Sequence, residues 1–273
     1  MSDNLDRAVQ WYPGHMVRAM RKIREYLELI DVIVEVADAR IAASGRNPAL
    51  DDLIGARPHL LVFTRTDLAD PRTTQGWMSH LAKLGQPAVA VQATAQPEVA
   101  TVASALERLA VGVRGRKRAI VVGLPNSGKS AIINGLIRRS AAKTEDRAGV
   151  TRTLQWFRLG RNLELMDTPG VLVPKIATPE AQWMLAAVGA VPKDRYDPEE
   201  VTDRLYMWLR EHRADLKVPN LEAFAALRGI LRRGGEADIH NAARSYLSHF
   251  GSAGFGRISF EAVQPTAGAP DGR

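Results

Sequence analysis

The chain of 273 residues contains no cysteine. That absence removes disulfide frameworks and cysteine-ligated zinc or iron–sulfur sites, and it fits a reducing compartment. No uninterrupted apolar run approaches the ~20 residues that a membrane span requires, so transmembrane readings are excluded. The first ten residues, MSDNLDRAVQ, hold neither the apolar segment of a secretory signal nor the arginine-rich pattern of a transit peptide. A cytoplasmic protein is expected. Acids are the minority sign: 30 Asp and Glu face 37 Lys and Arg, a formal net charge of +7. With 45% hydrophobic and 25% charged residues, the balance is that of an ordinary globular chain, long enough for one large domain or a medium domain with a smaller partner.

The positive charge is concentrated. Between Val111 and Arg161 stand twelve basic residues against two acids, Glu145 and Asp146, which leaves the rest of the chain net negative. Such density is the electrostatic footprint of a surface that faces phosphates. The plain alternative is a solvated linker at Arg114–Arg118 and ordinary exposed helix positions at Arg138 and Arg139.

Short runs rich in Val, Ile and Leu alternate with helical stretches, which reads as α/β. Strands are predicted at Asp31–Ala37, His59–Phe63, Ala88–Gln92, Ala119–Gly123, Leu154–Leu159 and Leu163–Met166. The last two flank Gly160-Arg161-Asn162, a hairpin turn signal. Helices are predicted at Met16–Leu29, Thr73–Leu84, Glu98–Leu109 and Lys129–Arg138. After Gly170 the pattern turns wholly helical, with Pro179–Val188, Asp197–Arg213, Leu221–Leu231 and Asp238–Phe250. Asp197-Pro-Glu-Glu200 and Thr178-Pro-Glu180 each set a capping side chain before a proline and first-turn acids. The stripe Ile239, Ala242, Ala243, Tyr246, Leu247 and Phe250 recurs at helical spacing and reads as core.

Gly123-Leu-Pro-Asn-Ser-Gly-Lys-Ser130 fits the phosphate-loop pattern G-x-x-x-x-G-K-[ST], in its required place between a strand and a helix. The glycines let successive amides point inward at phosphates. Lys129 supplies a point charge for the β- and γ-phosphates, and the Ser130 hydroxyl is an expected Mg²⁺ ligand. Asp167-Thr-Pro-Gly170 follows a strand 38 residues after Lys129. Its carboxylate suits magnesium, and the Gly170 amide can reach a γ-phosphate. Between the two lies Thr151, in Gly149-Val-Thr-Arg152, expected to complete the Mg²⁺ shell when the γ-phosphate is present.

Guanine presents N1–H and N2–H₂ as adjacent donors, which one carboxylate can accept together. GTPases supply it from N-K-x-D after a hydrophobic strand. Here HLLVF is followed by Thr64-Arg65-Thr66-Asp67, so Asp67 is in place and Thr64 replaces asparagine, at a cost of about 0.5–1.5 kcal/mol for one neutral hydrogen bond. This base motif precedes the phosphate loop, the reverse of the ordinary order. The sequence therefore describes a circularly permuted G domain, since a closed α/β core keeps its packing when neighbouring termini are moved.

Together with Trp11-Tyr-Pro-Gly-His-Met16, Asp38-Ala-Arg40, Arg46-Asn-Pro48 and Gly234-Gly-Glu-Ala-Asp238, these motifs resemble the bacterial ribosome biogenesis GTPase A family across residues 11 to 260. The resemblance implies an α/β fold: a circularly permuted P-loop GTPase domain over residues 1–176, with a mostly parallel sheet and helices on both faces. It implies a smaller all-helical RNA-binding domain over 177–260, and 261–273 is expected to be a disordered tail. The absence of cysteine separates the chain from permuted bacterial GTPases that carry zinc-binding cysteines. Thr64-Arg65 departs from the family's asparagine–lysine, and Ala148 stands where proline usually precedes G-V-T.

The resemblance further implies GTP hydrolysis as a switch in late assembly of the large ribosomal subunit. The partners would be that subunit's precursor, its rRNA and ribosomal proteins. Val171 follows D-T-P-G where many small GTPases place a glutamine, so water positioning must come from elsewhere. His15 matches the family's proposed water-positioning histidine, and Asn126 the phosphate-loop asparagine that in similar GTPases helps hold K⁺. The expected catalytic set is His15, Asn126, Lys129 and Thr151. Nucleotide contacts are expected from Thr64, Arg65, Thr66, Asp67, Gly123, Asn126, Ser127, Gly128, Lys129, Ser130, Ala131 and Gly170. Mg²⁺ would be held by Ser130, Thr151 and Asp167. An RNA-docking scaffold with a structural nucleotide, or a permuted GTPase on another RNA target, are the rival readings.

Overall fold

The computed structural model describes residues 25–46, 54–55, 57–109, 115–141, 155–159, 162–167 and 178–263. Six strands form one sheet: β1 (Val32–Asp38), β2 (His59–Thr64), β3 (Ala88–Ala90), β4 (Lys117–Gly123), β5 (Gln155–Leu159) and β6 (Leu163–Asp167), in the order β3-β2-β1-β4-β6-β5. All neighbours are parallel except β5, which runs antiparallel to β6 as the hairpin signal predicts. The chain winds outward from β1 to β3, then restarts on the other side of β1 with β4. Ligand crevices in such sheets form at this reversal, beyond the carboxyl ends of the strands.

β1 and β4 are buried along their shared length because helices cover both faces. On one face Val32, Val34, Val36, Ala119 and Val121 meet Val99, Val102 and Leu106 of α2 (Gln96–Leu109) and Ile132, Ile133 and Leu136 of α3 (Lys129–Ala141). On the other, Leu61 and Phe63 pack with Leu81 and Trp77 of α1 (Pro71–Lys83). Glu35 interrupts the apolar run of β1, yet it is only 1% exposed. It accepts from Arg46 Nη2 at 3.0 Å and faces His59 Nε2 at 3.3 Å. Burial raises its carboxyl pKa, but the hydrogen bond and charge of His59 and Arg46 outweigh that and hold it below its ordinary value.

Four further helices, α4 (Pro179–Ala187), α5 (Pro198–His212), α6 (Leu221–Arg228) and α7 (Ile239–Gly251), pack around Trp183, Leu205, Leu209, Phe224, Tyr246 and Phe250. Thr178 and Asp197 cap α4 and α5 as their sequences predict. This core also takes in Ile41 and Leu124, so it is continuous with the sheet region beside the phosphate loop.

Several boundaries differ from the sequence reading. α1 begins at Pro71 rather than Thr73 because Asp70 accepts from Thr73 N and caps it. α6 stops at Arg228, not Leu231, because Gly229 adopts a left-handed φ of 64° and closes the helix. β3 ends at Ala90 rather than Gln92, since the Gln92 amide is taken by the Glu98 carboxylate at 2.6 Å. The helix predicted over Met16–Leu29 falls mainly outside the described residues; residues 25–27 are helical.

Of the tail expected over 261–273, residues 261–263 are described and 264–273 lie outside the described residues. Residues 257–260 return to the segments that follow β1 and β2, where Ile258 N donates to the Leu68 carbonyl at 3.0 Å and Phe260 N to the Arg40 carbonyl at 2.8 Å. The Glu261 carboxylate then accepts from Ala43 N at 2.7 Å and Ser44 N at 2.9 Å. Among the described residues, no helix is long and apolar enough to cross a membrane.

Candidate functional site

Adjacent strands end together: Asp38 on β1, Thr64 on β2, Gly123 on β4 and Asp167 on β6. The registers pair Asp38 with Thr64, Val36 with Gly123 and Val121 with Asp167, so all four ends open onto one edge.

The loop from Gly123 to Lys129 needs backbone shapes that ordinary residues avoid. A Cβ on Gly123 would lie 2.2 Å from the Val36 carbonyl oxygen at a φ of +149°, and one on Gly128, φ +96°, would lie 3.0 Å from Thr64 Oγ1. Asn126 itself takes φ 56°, a left-handed conformation that Asn tolerates better than most residues. Lys129, 6% exposed, opens α3 and donates from Nζ to the Leu124 carbonyl at 2.7 Å. Burial pushes its ammonium down to about 8, against the opposing effect of the Asp167 carboxylate. The hydroxyl of Ser127 is buried with no hydrogen-bond partner among the described residues. Together these features make a tight cradle with a cation and an uncommitted donor inside it, which is what a phosphate chain requires. Ser130 follows on α3 and is exposed; Ala131 is half-buried against the sheet core.

Thr64, expected among the nucleotide contacts, has partners within the protein. It is fully buried, and its hydroxyl donates to the Ser127 carbonyl, with the Ala37 carbonyl at 3.2 Å as a longer neighbour. It therefore fastens the phosphate loop to β2 from beneath. Arg65, with a left-handed φ of 56°, sends Nη2 to the Asn126 carbonyl at 2.8 Å and sets Nε 3.7 Å from the Asp38 carboxylate. Burial lowers the Arg65 pKa, while Asp38 raises it. Asp67 is exposed on the same loop.

Three contributors were not assigned a site role from the sequence. Asp38 accepts from Arg40 Nε at 3.0 Å and Nη2 at 2.7 Å. Arg40 is 1% exposed, donates to the Val188 carbonyl at 3.2 Å and lies 5.7 Å over the Phe250 ring. Arg257 donates to the carbonyls of Thr66 and, at 2.9 Å, Ala69, so the base-motif loop is held from beyond α7. The Asp38-Ala-Arg40 motif was visible as part of the resemblance, but Arg257 lies in no pattern that marks it. His15, Thr151 and Gly170 lie outside the described residues.

Strand order, phosphate loop and base motif together define a P-loop nucleotide-binding G domain with permuted connectivity. A family model described as "50S ribosome-binding GTPase" matches residues 118–212. A Bacillus cereus protein named Ribosome biogenesis GTPase A is 36% identical over 276 residues, covering 93% of each chain. Two solved structures of YlqF from Thermotoga maritima, each 27% identical, superpose with TM-scores of 0.70 for a GDP-bound form and 0.72 for a GNP-bound form. They cover 89% and 90% of this chain and 99% and 98% of theirs. The chain belongs to the ribosome biogenesis GTPase A family and is a GTP hydrolase.

Proposed function

We propose that this GTPase works as a nucleotide-controlled switch on the precursor of the large ribosomal subunit. The observation that carries the reading is the convergence of Lys129, Asp167 and the Thr64–Asp67 loop at one sheet edge. In this reading residues 1–176 form the permuted G domain and 177–260 a helical rRNA-contacting domain. The basic stretch Val111–Arg161 would face RNA phosphates, an electrostatic term that steers as well as binds.

Mg²⁺ fits the donors present: Asp167 ends the strand beside the phosphate loop, and the Ser130 hydroxyl lies in the first turn of α3. Ser130, Asp167 and Thr151 would hold the ion, which would neutralise charge on the phosphate oxygens. For K⁺, the Asn126 carboxamide is the fitting donor. Lys129 balances the charge of the β- and γ-phosphates, the glycine-shaped amides orient them, and Asp67 accepts from the guanine edge. With apolar Val171 after D-T-P-G, His15 is the group assigned to orient the attacking water. Phosphoryl transfer depends on positioning and charge stabilisation, so these roles suffice for turnover that is slow alone and faster on the partner.

Co-sedimentation tests the switch. The protein is expected to travel with large subunits in the presence of a non-hydrolysable GTP analogue and to leave them with GDP. Equal association in both states would remove the switch and favour the scaffold.

A further inference from the structure

A polar ring joins the phosphate loop to the helical region. From Asp38 it passes through Arg65 to the Asn126 carbonyl; the Asn126 side chain, Nδ2, donates to the Gly189 carbonyl at 2.8 Å. It returns from the neighbouring Val188 carbonyl through Arg40 to Asp38. Val188 and Gly189 form the turn that ends α4. Gly189 has φ +79° and donates its N–H to the Ala186 carbonyl at 3.0 Å, and Ala190 N–H reaches the Leu185 carbonyl at 2.8 Å. The helical region is thus tied directly to the phosphate loop, 63 residues earlier, through one side-chain amide.

That amide has a competing use. An asparagine carboxamide offers two N–H donors and one acceptor oxygen in a fixed plane, so an amide aligned on Gly189 is not free to turn toward a nucleotide. The bond is exposed, which makes it easy to exchange for another partner. Arg40, by contrast, is buried and bidentate on Asp38, and it holds the other half of the turn.

The same turn walls a cleft of about 380 Å³ whose largely apolar lining includes Lys193, Tyr196, Arg244 and Ser248. Lys193 and Arg244 are exposed, and neither forms an ion pair among the described residues. The nearby acids are engaged elsewhere: Asp194 faces Arg195 at 3.5 Å, and Asp197 accepts from Glu199 N at 2.9 Å. Burial raises the Tyr196 phenol pKa, which keeps it a hydrogen-bond donor. Two unpaired cations beside a phenol and a serine hydroxyl complement the negative charge and acceptor oxygens of a phosphodiester backbone.

We propose that the Val188–Gly189 turn withholds the Asn126 carboxamide from the nucleotide site, and that an RNA phosphodiester seated in the cleft beyond the turn releases it. Docking and nucleotide chemistry are then coupled through one turn, and linkage makes the coupling reciprocal: a nucleotide that recruits Asn126 also loosens the turn for RNA. The inference rests on the reading of the site as a partner-stimulated GTPase.

Two measurements on the full chain test it. The Asn126 side-chain NH₂ signals, assigned by their loss in Asn126→Ser, should exchange with solvent more slowly in the free protein than those of an unbonded asparagine side chain. A short single-stranded RNA oligonucleotide should speed that exchange several-fold, and a combined Lys193→Glu, Arg244→Glu variant should abolish the response. Gly189→Ala strains the left-handed turn and should raise partner-free GTP turnover several-fold, shrinking the further gain from large subunits. Exchange unmoved by RNA would overturn the proposal. So would unchanged or slower turnover in a Gly189→Ala protein with parental GTP affinity and circular dichroism. If Gly189→Ala does not fold, the exchange measurement on the unmodified chain decides alone. RNA-responsive Asn126 signals in a protein that hydrolyses no GTP would uphold the coupling and overturn the enzyme reading instead.

Discussion

The hydroxyl of Thr64, at the end of β2, donates to the main-chain carbonyl of Ser127, 63 residues later in the phosphate loop. A base-motif position thereby carries the loop that receives the phosphates. The permuted chain order makes the contact non-local, yet the sheet brings its ends together because β1 stands between β2 and β4.

Removing that donor without changing shape isolates its contribution. Thr64→Val leaves a buried carbonyl without this partner and should lower stability by about 1–2 kcal/mol. GTP affinity should fall several-fold as the loop loosens. Urea melts and nucleotide titration read the two effects; parental values in both would show that the bond does not support the loop.

Lys129 is expected to make GTP binding pH-dependent. In the folded, nucleotide-free protein its ammonium is pushed down to about 8 by burial, whereas a lysine in the unfolded chain keeps its proton to about 10.5. Between those values the unfolded state binds more protons, so the unfavourable cost of the buried cation fades and stability rises with pH across that window. The phosphates need the charged form, so GTP affinity should decline above about pH 8 and binding there should take up a proton. Titration calorimetry in buffers of different ionisation heat measures the uptake; none at pH 9 would contradict the assignment.

Arg257 holds the loop that carries Asp67. Arg257→Ala strips the Thr66 and Ala69 carbonyls of a charged donor. Preference for GTP over ATP in competition binding should narrow several-fold while the fold, followed by circular dichroism, persists. An unchanged preference would confine Arg257 to fixing the C-terminal segment.

Much of this fold is legible locally. Val/Ile-rich runs buried on both faces mark β1 and β4, the glycines of the phosphate loop mark its strained turns, and capping residues such as Asp197 and Thr178 mark the helices that follow. The reversed order of Asp67 and Gly123 alone reveals the permutation. Less legible are features that depend on distant partners. The burial of Glu35 is compensated by Arg46 and His59, and the anchorage of Glu261 relies on amides at Ala43 and Ser44. Thr64 stands where N-K-x-D has asparagine, and no local pattern shows that its short hydroxyl donates to the Ser127 carbonyl of the phosphate loop. Arg257 and Gly189 act through partners on other elements, which no local pattern encodes.

The most direct test of the central claim is steady-state GTP hydrolysis in potassium buffer by the protein alone, with large subunits and with small subunits. Slow turnover alone, selectively accelerated by the large subunit, is the predicted result. GTP that binds but is hydrolysed no faster with either subunit would contradict the account and leave an RNA-docking scaffold or a different RNA partner.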